Sequence, residues 1–351
     1  MKLFTVGPVE MSEAVKACGG SPIPYFRTPE FSDVMKHIET NFKMLAKAPE
    51  NARLVVLTAS GTGAMEAAVS NILNKTDKVL VINGGSFGHR FAQLCQCFQL
   101  QYEELKLSYG EILTQAHLDA FRGRGFTAML VNIHETSTGQ LYNGQMLAQF
   151  CRDEHMLFII DAISSLFADP FDMNALGADA VICSSQKALA LPPGLSFILL
   201  NDRAVDRIQT SIPVSMYFDL RDYLNNMNRG QTPYTPAVGI IMQLSEQLKH
   251  MAAAGIDQII QIHRERAEYF RKQCKANGIK TAAFPQSNAL TTVEFDKRNA
   301  YEAFTRLKDE KHLMLTPSGG ELSNKILRVG HLGNLNLNDF DEVIRCLKEV
   351  I

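Results

Sequence analysis

The sequence predicts an α/β fold in which a mostly parallel sheet is covered by helices. Short apolar runs rich in β-branched residues recur at 53–58, 78–82, 127–133, 157–160, 179–183 and 195–200, and helix-like stretches separate several of them. Alternation of this kind builds a parallel sheet, because each crossover between parallel strands needs a helix-length connection. Before the first run, Phe31, Val34, Met35, Ile38, Phe42 and Leu45 recur at helical spacing and the pattern closes near Ala48-Pro49, so residues 30–47 read as an amphipathic helix. Beyond the sheet, 236–277 is one long helical pattern ending at Asn277-Gly278. Strand signals at 289–295 and 326–330 then alternate with helices at 299–309 and 337–349. Residues 1–260 therefore read as a large domain with an N-terminal segment, and 261–351 as a smaller C-terminal α/β domain whose strands lie beyond 280.

Composition narrows the function classes. A chain of 351 residues with 46% hydrophobic content buries roughly three quarters of its unfolded surface. The 35 basic and 37 acidic residues leave a net charge of −2, which gives no footprint for nucleic acid or an anionic membrane. Small molecules are the expected partners. Seven cysteines without a Cys-x-x-Cys pair point to a reducing compartment. No stretch approaches the roughly 20 apolar residues of a membrane span, and the start has no signal-length apolar run, so a cytoplasmic location is expected. The nine histidines form no His-x-x-x-His or Cys/His cluster, and no metal is expected.

Ligands of open parallel sheets bind beyond the carboxyl ends of the strands, so the residues following each run are the candidates. After the first run, Ser60-Gly61-Thr62-Gly63 opens an Ala-rich helix. Unpaired N–H groups at a helix start can hold a phosphate without a lysine, although an ordinary capped turn has the same composition. Asp161 closes the apolar run Leu157-Phe158-Ile159-Ile160. A buried carboxylate needs a partner, and a pyridinium N–H is one; a capping role is the other reading. Lys187 follows the run ending at Cys183 and precedes Pro192-Pro193-Gly194. Desolvated in a cleft, its amine loses its proton and attacks an aldehyde, whereas on open surface it would stay charged.

These residues, with Thr5-Val6-Gly7-Pro8, Asn83-Gly84-Gly85-Ser86-Phe87-Gly88-His89-Arg90, Glu135-Thr136-Ser137-Thr138-Gly139, Ser185-Gln186-Lys187-Ala188-Leu189 and Arg328-Val329-Gly330-His331-Leu332-Gly333, resemble class V aminotransferases. The resemblance is to the alanine–glyoxylate, serine–pyruvate and 2-aminoethylphosphonate–pyruvate group of fold-type I pyridoxal-phosphate (PLP) enzymes. It implies PLP as cofactor, Lys187 as the Schiff-base lysine and Asp161 as the partner of the pyridine nitrogen. Gly61 and Thr62, with Ser60 beside them, and Gln186 look like phosphate ligands, and Thr136 resembles the hydroxyl near the ring's phenolic oxygen. Phe87 falls where the family stacks an aromatic ring, in a loop one residue longer than usual. Thr235, within Thr232-Pro233-Tyr234-Thr235-Pro236, resembles a phosphate ligand donated by a neighbouring subunit, which implies a homodimer with shared sites. Arg328 stands where the family binds the substrate anion. Arg27, His134 and His331 receive no role. The implied activity is ping-pong transfer of an amino group from a small amine or amino acid to a 2-oxo acid. Two rivals stand beside it: another PLP chemistry such as cysteine desulfuration, which resembles this fold but has His where Gln186 stands, and a non-catalytic phosphate- or nucleotide-binding protein.

Overall fold

In the strand Arg53–Leu57 successive side chains serve opposite faces: Leu54 and Val56 join one hydrophobic core, Val55 and Leu57 another. A strand covered on both sides has no polar face, which is why these runs read as continuous apolar stretches. The computed structural model describes residues 1–351. Its main sheet has seven strands, in the order Arg53–Leu57, Ser196–Leu200, Ala180–Ser184, Leu157–Asp161, Ala128–Asn132, Lys78–Asn83 and Gln101–Lys106. Neighbours from Ala180–Ser184 to Gln101–Lys106 pair in parallel. Ser196–Leu200 alone runs antiparallel to both its neighbours. Arg53–Leu57 is thereby restored to the common direction. The carboxyl ends of the first strand and of all the parallel ones thus meet along one edge of the sheet, and that edge carries residues 58–62, 83–87, 133–136, 161 and 185–187.

A smaller antiparallel sheet, Leu290–Glu294, Ile326–Gly330 and Thr316–Pro317, packs with the helices Ala300–Lys311 and Leu337–Val350 around its own core. Phe4 belongs to that core as well. The N-terminal strand Lys2–Leu3 pairs in parallel with Leu313–Met314, and Gly330 N donates to Phe4 O at 2.7 Å. The chain's start is therefore woven into its C-terminal layer before it crosses the sheet edge at Gly7. The helical pattern of 236–277 is two helices, Val238–Ala254 and Ile256–Ala276, divided at Gly255. Gly255 has a φ of +81°, which a right-handed helix cannot contain. No helix is long and apolar enough to cross a membrane.

Candidate active site

Lys187 sits in the turn after the strand Ala180–Ser184, half-buried, its ammonium drawn down to about 8 by burial and then by repulsion from Arg328, while Asp161 pulls the other way. The N-terminal loop closes over it. A Cβ added at Gly7 would stand 2.6 Å from Gln186 O and 2.7 Å from Lys187 Cδ, and the φ there is +149°. Only glycine lets the loop pass this close.

Asp161 ends its strand buried, and its Oδ1 accepts from Ile163 N at 2.8 Å. No cationic side chain forms an ion pair with it. Burial above all, with Glu135 adding to it, raises its carboxyl to about 7 against the Ile163 N–H, Lys187 and Arg90. A carboxylate kept this way is a site for a group that brings its own positive charge.

The anion turn packs directly behind both. Ser60 Oγ caps the helix Gly61–Ile72 by accepting from Gly63 N at 3.3 Å. A Cβ at Gly61 would meet Ile163 Cδ1 at 2.5 Å and Ser184 Cβ at 3.5 Å, so the turn touches the loops that follow Asp161 and precede Lys187. Thr62 Oγ1 accepts from Arg90 Nη1 at 2.8 Å, which leaves the threonine's own proton for another acceptor. Gln186 Oε1 accepts from Ser184 Oγ at 2.5 Å, which turns the amide N–H groups away from that contact. Helix-start N–H groups, a hydroxyl and an amide are donors of the kind that can hold an anion.

Phe87 lies half-buried in the first turn of the helix Ser86–Cys97. Glu135, fully buried, holds that turn: its Oε2 accepts from Gly88 N at 3.0 Å and from Asn132 Nδ2 at 2.8 Å, and its Oε1 from Ser137 N at 3.1 Å. A carboxylate at a helix start complements the dipole, and here it fixes where Phe87 points. The Arg90 guanidinium lies 5.5 Å from the centre of the Phe87 ring. Sequence reading gave neither Glu135 nor Arg90 a role. The available signal was an acid directly after an apolar strand, facing the Gly-Gly-Ser-Phe-Gly helix start.

Arg328 is buried in the strand Ile326–Gly330 and aimed by two carbonyls, Nη1 donating to Thr136 O at 2.6 Å and Nη2 to Pro317 O at 2.7 Å. Its Nε is buried with no partner. An orphaned donor in a guanidinium is costly, and a carboxylate in the cleft would satisfy it. Burial lowers its pKa to about 10 while Glu135 supports the charge, so it stays cationic at neutral pH.

Thr235 belongs to a loop that meets the sheet edge at Thr58, where Ala237 N donates to Thr58 Oγ1 at 3.0 Å. Thr235 is exposed, and the loop is tied down by Arg27, which donates to Gln231 Oε1 at 2.9 Å and Thr232 O at 2.7 Å. His331 is a core residue, its Nε2 2.9 Å from Thr291 Oγ1 and its ring against Phe270 and Phe340. No group of three or more His, Cys, Asp or Glu is placed to hold a metal ion.

Comparison with known proteins agrees with this geometry. The class-V aminotransferase family model matches residues 24–332. The 42 kDa subunit of the soluble hydrogenase of Anabaena cylindrica is 31% identical over 359 residues, covering 100% of this chain and 93% of that protein. The L-aspartate–glyoxylate aminotransferase of Paracoccus denitrificans is 27% identical, covering 95% and 86%. Among solved structures, the alanine–glyoxylate aminotransferase of Nostoc sp. superposes with a TM-score of 0.93 at 24% identity, over 99% of this chain and 94% of that one. The family match takes in the lysine, the acid and the anion turn alike, and the chain belongs to the class-V aminotransferases, a family of PLP-dependent transaminases.

Proposed function

We propose that this chain transfers an amino group from a small amine or amino acid, such as alanine, serine or 2-aminoethylphosphonate, to a 2-oxo acid such as pyruvate or glyoxylate. The observation that carries the reading is the meeting of Lys187, Asp161 and Arg328 in one cleft, an amine between a carboxylate without a cation and a guanidinium with an unfilled donor.

PLP fits these residues. Asp161 would face its ring nitrogen, Lys187 would tether its aldehyde, and the N–H groups of Gly61 and Thr62, the Thr62 hydroxyl and the Gln186 amide would hold its phosphate. When bound, the cofactor supplies a carbonyl that takes up the amino group and a protonated ring that withdraws electrons from the donor's α-carbon. Asp161, ionised by that ring cation, keeps the nitrogen protonated. Lys187, once displaced by the donor's amine, would take the α-proton as general base and deliver it to the carbon that carried the cofactor's aldehyde, after which water releases the oxo acid; an amine near pKa 8 is matched to neutral pH for both jobs. Arg328 anchors the carboxylate of donor and acceptor in turn. Both use one anchor, so the first product must leave before the second substrate binds, and the kinetics are ping-pong.

Phe87 would stack on the ring, with the helix start held by Glu135 behind it. Thr235 is read as serving a second copy of the chain. An exposed apolar loop, Ile212, Val214 and Met216, supports an interface nearby in sequence. Cysteine desulfuration needs a thiol on a mobile loop, but Cys95, Cys151, Cys183, Cys274 and Cys346 are buried, and the two that are not, Cys18 and Cys97, lie in the helices Glu13–Gly19 and Ser86–Cys97. The two-domain division and a cytoplasmic setting remain part of the same reading.

The test is a single-turnover experiment. Protein loaded with PLP should lose its visible absorbance when mixed with one of a panel of donors and regain it with pyruvate or glyoxylate. Bleaching by none of the panel, or no return with any 2-oxo acid, would reject the proposal.

A further inference from the structure

Behind Thr136 runs a buried file of polar groups that the proposed function does not use. Ser164 Oγ lies 2.6 Å from Thr136 Oγ1 and 2.8 Å from His134 Nδ1, and all three residues are buried. His134 Nε2 has no partner. We propose that His134 and Ser164 are positioning residues that commit the Thr136 hydroxyl to donate its proton into the cleft, to the phenolic oxygen of the bound cofactor. This rests on the cofactor reading above and adds to it the residues that set the hydroxyl's direction.

The polarity of the file follows from which atoms can donate. Burial first, then the charges of Lys187 and Arg328 and, more weakly, of Arg271, hold the imidazole neutral, its pKa drawn down to about 3, while the Ser164 backbone favours the protonated ring. A neutral imidazole has one N–H. On Nε2 that proton would be a buried donor without an acceptor, the rarer and costlier defect. On Nδ1 it is used by Ser164, and only a lone pair is left unfilled. Ser164 Oγ therefore accepts from His134 and spends its own proton on Thr136 Oγ1. Thr136 in turn must place its proton elsewhere. Within the chain its acceptor is the His134 carbonyl at 3.5 Å, the outer limit of a hydrogen bond. An anionic oxygen in the cleft is the stronger acceptor. Thr136 is not free to move away, because its carbonyl is held by Arg328 Nη1 at 2.6 Å.

The consequence is measurable without turnover. A donor to the phenolic oxygen stabilises that oxygen as an anion and loosens its hold on the proton it shares with the Lys187 nitrogen, so losing the donor lets that proton stay on to higher pH. Thr136→Val, Ser164→Ala and the double variant would be loaded with PLP and the pH midpoint of the visible band measured for each. Thr136→Val should raise the midpoint by about one to two pH units, the worth of one hydrogen bond to a charged oxygen. Ser164→Ala should raise it in the same direction, and the double variant should go no further than Thr136→Val alone, because Ser164 acts through Thr136. His134→Phe, which keeps the bulk and removes the donor, should shift it likewise. An unmoved midpoint in Ser164→Ala, or a shift that adds in full to that of Thr136→Val, overturns the proposal. If Ser164→Ala does not fold, Ser164→Cys is read by the same two criteria. Failure of the underlying cofactor reading looks different, since the unaltered protein would then stay colourless with PLP.

Discussion

Asp161 stores at one carboxylate the conflict between stability and function. Its folded pKa of about 7 lies above the ordinary 3.8, so the folded apoprotein binds this proton more tightly than the unfolded chain does. The penalty is absent below the unfolded value, grows as pH rises from about 4 to 7, and is complete above that. A shift of about three units corresponds to at most about 4 kcal/mol. Asp161→Asn should therefore make the apoprotein melt higher than the wild type at pH 8 and equally at pH 4, while binding PLP more weakly and turning over at least about a hundredfold slower. Equal melting at pH 8 would mean that the carboxylate is not strained. Comparing variant with wild type cancels the other buried acids that burial raises, Asp169 and Asp179. Arg328 makes the complementary case. Arg328→Gln should weaken carboxylate-bearing substrates by about 2–5 kcal/mol, thirtyfold to a few thousandfold, while a donor amine without a carboxylate loses little; steady-state KM values for the two classes measure the split. Asp161 was legible in the sequence because it ends an apolar strand, and Arg328 through the family resemblance, since it lies inside its strand rather than at the end. Glu135, Arg90 and Ser164 were not, since what gives them a role is a contact with residues 28 to 47 positions away.

At the scale of elements, the strands were legible because both faces are buried and the apolar run therefore equals the strand: 157–160 was expected and Leu157–Asp161 observed. What failed has physical causes. Gln101–Lys106 lies at the sheet edge with a mostly polar, part-exposed sequence, so no apolar run announces it. The reversed direction of Ser196–Leu200 leaves no trace in composition, because an apolar run carries no polarity. The return of Lys2–Leu3 to Leu313–Met314 is a pairing across almost the whole chain. That return brings Gly7 onto Lys187, and it can be probed. Gly7→Ala should destabilise by about 1–3 kcal/mol and also disturb the lysine. Gly110→Ala is the control: Gly110 too has a positive φ, +90°, but nothing lies within 4 Å of an added Cβ. Gly7→Ala should have the lower denaturant midpoint of the two, because its contact with Gln186 O adds to the strained φ they share, and only Gly7→Ala should lower the turnover of the PLP-loaded protein. Equal turnover would show that the N-terminal loop does not shape the site.

For the whole molecule, the question is whether one chain makes a complete site. The phosphate donors proposed for a single chain are Gly61, Thr62 and Gln186, whereas Thr235 is exposed on a loop held by Arg27. Rigidity without a buried contact is what a residue offered to another chain requires. Complementation separates the two arrangements. Thr235→Asp puts a negative charge beside whichever phosphate Thr235 serves, and Lys187→Ala removes the amine; each variant alone should be inactive. If Thr235 serves the neighbour's site, a heterodimer of the two variants has one site with the intact Lys187 of one chain and the intact Thr235 of the other. Random mixing makes half the dimers mixed, each with one working site of two, so unfolding and refolding the variants together should restore about a quarter of wild-type activity. If Thr235 serves its own chain, the chain that keeps Lys187 always carries the aspartate, and mixing restores nothing.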